Sequence, residues 1–179
     1  MEGKGGIIGA IVTLVIGGVV FTVSQTDIVK NFSKDTGLSQ EEAQKYVENV
    51  TEDDLVPYDE LGANFISDGQ DAITLTSDID CVNYLYEWET NTLSCEEGKS
   101  QLIKFGNDEI ALGKAYTILA SESASREDMS SVISLIDKLN ADLSMEIVTS
   151  ILDSQSIDET KKVNSFNKAL LQSALESNQ

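Results

Sequence analysis

Histidine is absent from this sequence, arginine occurs once, as Arg126, and proline once, as Pro57. Without histidine the chain lacks the commonest general base and the commonest metal ligand, so any chemistry falls to carboxylates, hydroxyls, lysines and two cysteines. A lone arginine leaves a single bidentate clamp for phosphate or carboxylate, which weakens the case for phosphoryl transfer. Basic charge is scarce altogether: 12 Lys and Arg face 31 Asp and Glu, a formal net charge of -19. So negative a surface repels phosphate backbones, and nucleic acid is not an expected partner. The same field attracts cations or basic partners, although acidity of this kind also accompanies general adaptation to salt.

Sequence motifs that carry chemistry are missing too. No Cys-x-x-Cys, no EF-hand order of acids around a glycine, no G-x-S-x-G elbow and no phosphate-cradling glycine loop occurs. Ser165 and Lys168 match S-x-x-K by chance, without companion motifs and inside a predicted amphipathic helix. Carboxylates stand side by side at Glu52–Asp54, Asp78 and Asp80, Glu96 and Glu97, Asp108 and Glu109, and Asp158 and Glu159. Linear adjacency does not give an acid and a base distinct environments, so these read as solvated faces or helix N-terminal charges. Asp78 and Asp80, beside the cysteines, are the one exception entertained, as weak calcium ligands. No catalytic, cofactor-binding or metal-ligating residue is assigned, no cofactor is expected, and the chain is read as a non-enzyme.

Against these absences stands one long apolar run, Ile7 to Val23, without a charge. At about 1.5 Å per residue it just spans about 30 Å of hydrocarbon, where only a helix satisfies the backbone. Residues 1–25 are therefore expected to anchor the chain, with membrane lipid as the partner of residues 7–23. A cleaved secretory signal is the competing reading, but the small residues near Ser24 form no A-x-A site. Lys30 and Lys34 after the run, against Lys4 before it, favour a cytoplasmic domain.

The cysteines argue the other way. Cys81 and Cys95 bracket an aromatic stretch with turn-forming Thr90-Asn91-Thr92, so a disulfide-closed hairpin or loop is expected there. Such closure constrains the unfolded chain by about 3 kcal/mol and needs an oxidising compartment. Two unrelated thiols are the bland alternative. The domain is accordingly placed on the extracytoplasmic side of a cell membrane, crossed once. Asn31-Phe32-Ser33 and Asn49-Val50-Thr51 match the glycosylation pattern, making Asn31 and Asn49 possible acceptors.

Beyond residues 26–38, a juxtamembrane stalk, residues 39–179 read as one acidic, mostly α domain, an antiparallel helical bundle. Ser39 with Glu42 starts one helix, whose face is Ala43, Tyr46, Val47 and Val50. A second runs from Pro57 to about Ile79, weakened by Gly62 and Gly69, where close packing or a break is expected. Leu102, Phe105, Leu112, Tyr116 and Leu119 mark the next face, with Gly106 and Gly113 loosening it. Ser125 with Asp128 and Ser156 with Glu159 start two more helices, and Leu143 to Leu152 form another between them.

Lys4-Gly5-Gly6 ahead of the apolar run resembles the processing region of a type IV pilin precursor, over residues 1–25 only. That resemblance implies a filament subunit polymerising through its N-terminal helix. The chain departs from the pattern by lacking a glutamate just inside the run, and no β-rich head is expected. The leading expectation is thus a non-catalytic, membrane-anchored accessory, scaffolding or structural subunit that binds another protein or membrane complex. A pilin-like subunit is the alternative, followed by a carboxylate-dependent envelope hydrolase.

Overall fold

A computed structural model describes residues 11–51, 55–81 and 93–177. Among these residues two strands, β1 (Ile11–Ile16) and β2 (Val19–Ser24), precede seven helices: α1 (Gln25–Thr36), α2 (Gln40–Asn49), α3 (Tyr58–Ser77), α4 (Cys95–Leu119), α5 (Arg126–Asp142), α6 (Glu146–Ile151) and α7 (Ser154–Ser177). The chain is mostly helical, as its spacing of apolar residues predicts.

Its N-terminus is a correction to the sequence reading. Residues 11–24 form an antiparallel hairpin, with Leu14 opposite Phe21 and Ile16 opposite Val19, in place of a membrane-spanning helix. The cause is local. Gly17 and Gly18 adopt φ of +59° and +70°, the left-handed pair that a two-residue hairpin turn requires. Valine, isoleucine and threonine on either side are stiff at χ1 and suit a strand. Among the described residues no helix is long and apolar enough to cross a membrane. The N-terminal helix implied by the pilin likeness is a hairpin over residues 11–24, while residues 1–10, Lys4-Gly5-Gly6 among them, lie outside those described. Ile16, Phe21 and Val23 are buried against the helices, whereas Val15 and Val20 face outward.

Residues 26–38, expected as a stalk, hold α1, which packs on α7. Its Phe32 stacks on Tyr46 of α2 at 4.8 Å and meets the edge of Phe166 of α7 at 6.2 Å. The Ser39–Glu42 capping box forms as predicted, and matching boxes at Ser94–Glu97 and Ser125–Asp128 start α4 and α5. Each pairs two otherwise orphaned backbone donors.

The most extensive helix pair is α3 with α4, and its glycines are packing devices. A Cβ on Gly62 would lie 2.8 Å from the Gly113 carbonyl oxygen, and one on Gly69 would lie 2.4 Å from that of Gly106. The two backbones therefore touch where the sequence allowed either close packing or a break. Cys81 and Cys95 are disulfide-bonded, with Cα atoms 5.6 Å apart, tying the end of α3 to the start of α4. The hairpin expected between them falls at residues 82–92, outside those described.

Two helix boundaries differ from the sequence reading. The helix expected over Leu143–Leu152 is the short α6, with Ile147 and Val148 buried but Ile151 and Leu152 exposed. Helix α7 begins earlier than Ser156, because Asp153 accepts the Ser156 backbone N–H at 2.9 Å and caps the extra turn. Val163, further along α7, is half exposed.

Candidate functional site: an acid-lined apolar groove

Large aliphatic side chains left in water mark binding surfaces when they cluster. Leu75 of α3 (58% exposed), Ile151 of α6 (52%), Leu152 (37%) and Val163 of α7 (49%) do so, rimming one groove of about 590 Å³. Its floor is the apolar seam of α4, Leu102 and Phe105, with Leu143 and Val148, all buried. The wall from α3 follows from helical spacing: Phe65, Asp68, Ala72 and Leu75 lie three or four residues apart and share a face.

Charge in the groove is of one sign. Asp68 and Asp71 enter from α3, Glu109 from α4 and Glu159 from α7, and among the described residues no lysine or arginine lines it. Glu109 is 9% exposed. Gly69 brings α3 so near that a Cβ there would sit 3.1 Å from the Glu109 Cβ. Burial, and then the Asp68 carboxylate, push the Glu109 carboxyl up to about 8. Burial, and then Asp71, also raise Asp68 above its ordinary value. Glu109 is therefore mostly protonated at neutral pH, although no hydrogen bond holds its proton among the described residues.

The other buried charges are paired. Lys104 reaches Asp142 at 2.5 Å and Asp108 at 3.1 Å, and Lys138 reaches Asp108 at 2.6 Å, lacing α4 to α5. Burial opposes ionisation of Asp108, but hydrogen bonds from Asp142 and both lysines outweigh it and hold this carboxyl below its ordinary value. Lys168 of α7, 7% exposed, pairs with Asp35 of α1 and Asp137 of α5. Its neighbour in the S-x-x-K match, Ser165, is buried as well. Asp108 and Glu109, read as a solvated pair, are instead both buried and point to different neighbours.

Of the residues singled out in the sequence, Cys81 and Cys95 are brought together. Asn31 is 6% exposed, and its Nδ2, the atom a glycan would occupy, donates to Ser173 Oγ at 3.0 Å. Asn49 is exposed at the end of α2. Asp78 caps the C-terminus of α3, and among the described residues no group of three or more acidic or cysteine side chains is placed to hold a metal ion. Glu109 was missed. The signal for it was present, because it falls between Phe105 and Leu112 on the buried stripe of α4.

Comparison with protein families, curated proteins and solved structures finds no match to this chain.

Proposed function

We propose that this protein is a non-catalytic accessory subunit that docks an amphipathic helix of a partner protein in the groove between α3, α4, α6 and α7. The observation carrying this reading is the convergence of Leu75, Ile151, Leu152 and Val163, from separate elements, around one apolar trough. Helix-in-groove recognition needs such a trough between helices, with aliphatic anchors on its rim. A second copy of the chain is a poor occupant, since the groove is acidic and each copy carries -19.

The test uses a neutral peptide of about 14 residues, about 21 Å of helix, with leucine on one face and glutamine on the other. The wild-type protein is expected to bind it, with affinity falling at least tenfold, or about 1.4 kcal/mol, in Ile151→Asp and in Val163→Asp. Both positions are exposed, so both variants should fold. Undiminished binding by the variants would remove the reading.

An oxidising, extracytoplasmic location is part of the proposal and is supported by the Cys81–Cys95 disulfide. Exposed Val15, Val19 and Val20 on the hairpin support contact with a lipid surface or with the membrane complex served. A carboxylate-dependent hydrolase is the second reading, favoured by one observation: protonated Glu109 beside Asp68 has the protonation state of a general acid. The groove offers it little else, as the remaining lining is apolar apart from carboxylates, Thr160 and Asn164. Asn164 is already engaged, donating to Asn140 at 2.9 Å.

A further inference from the structure

We propose that the docked helix inserts a lysine or arginine side chain into the groove, where Glu109 receives its cation and Asp68 and Asp71 flank it at the mouth. This rests on the groove reading above and specifies the chemistry of its occupant. Three observations lead to it. Glu109 is nine-tenths buried and lines the groove, yet among the described residues it has no hydrogen-bond or ion-pair partner. Asp108, Asp142 and Lys168, buried to the same degree, are all paired. Of these buried charged residues, Glu109 is the one that lines the groove and the one without an ion pair among the described residues.

The second observation is the uniform sign of the surroundings. Asp68 and Asp71 face Glu109 from α3 and Glu159 faces the same space from α7, whereas α6 and the end of α5 contribute only Leu143, Val148, Ile151 and Leu152. On α4 itself, Asp108 turns away to Lys104 and Lys138. Among the described residues no group that lines the groove offers Glu109 a positive charge, which leaves that role to the occupant. The third is the apolar character of the walls, which suits the long aliphatic stem of a basic side chain with its charge at the tip.

A buried carboxyl without a partner stays neutral, and an arriving cation makes its ionised form the favoured one. Docking should then expel the Glu109 proton. Burial and Asp68 together leave that proton in place at pH 7 before docking.

The experiment compares the neutral leucine–glutamine peptide with a twin carrying a single lysine in its leucine face, by calorimetry at pH 7 in phosphate and in Tris. Heats in buffers of different protonation enthalpy count the protons released. The lysine twin is expected to bind wild-type protein at least tenfold tighter than the neutral one and to release about one proton per peptide. In Glu109→Gln both the preference and the proton should vanish, while the neutral twin, binding as before, reports an intact groove. The wild-type proton count stands without that variant should it not fold. Equal affinities for the twins with no proton released would overturn the inference and leave the groove reading standing. If neither twin binds wild-type protein, both fall.

Discussion

Glu109 gives the fold a pH dependence whose sign can be worked out. Its carboxyl titrates at about 8 in the folded chain against an ordinary value of 4.5. Between those values the folded state holds a proton that the unfolded state has lost, so stability falls as pH rises through this window and levels off above about 8. The slope for one such group is about 1.4 kcal/mol per pH unit. Urea unfolding at pH 5 and pH 8 should therefore show Glu109→Gln gaining stability relative to wild type as pH rises. A pH-independent difference would mean that Glu109 is solvated in the folded state. The position could have been read from the sequence, since Leu102, Phe105, Leu112 and Tyr116 leave residue 109 on the buried stripe. What could not be read is that Lys104 and Lys138 both serve Asp108 and leave Glu109 without a cation, because this depends on how α5 lies against α4.

Among the elements, the α3–α4 pair makes the groove possible. Glycine at 62, 69, 106 and 113 lets the helices meet backbone to backbone, which in turn sets Asp68 beside Glu109. In an exposed helix Gly→Ala stabilises by about 1 kcal/mol. At residue 106 the new Cβ would stand 2.5 Å from the Gly69 carbonyl oxygen, a backbone atom that cannot move aside cheaply. Gly106→Ala should instead destabilise by about 1–3 kcal/mol in urea unfolding, the usual range for an overpacked contact. A gain of stability would show that the helices can separate without loss. Helix starts at Ser39 and Ser125 were legible because capping is local chemistry. The hairpin was not, since Ile7 to Val23 carries both a long apolar run and a Gly-Gly pair. Run length favoured a membrane helix, whereas paired positive φ at Gly17 and Gly18 with flanking valines decides for strands.

For the whole molecule, the sequence supports a mostly helical fold and a bond between Cys81 and Cys95, but the groove emerges only in three dimensions. Val163 and Ile151 sit on the apolar stripes of α7 and α6, yet both are exposed. A partner helix covering them would complete those stripes. The most direct measurement is methyl NMR of the leucines, isoleucines and valines during titration with the neutral leucine–glutamine peptide. Saturable shifts at Leu75, Ile151, Leu152 and Val163, with the hairpin methyls of Val15 and Val20 unmoved, are the expected result. Shifts confined to the hairpin, or none at all, would contradict a docking groove between α3, α4, α6 and α7.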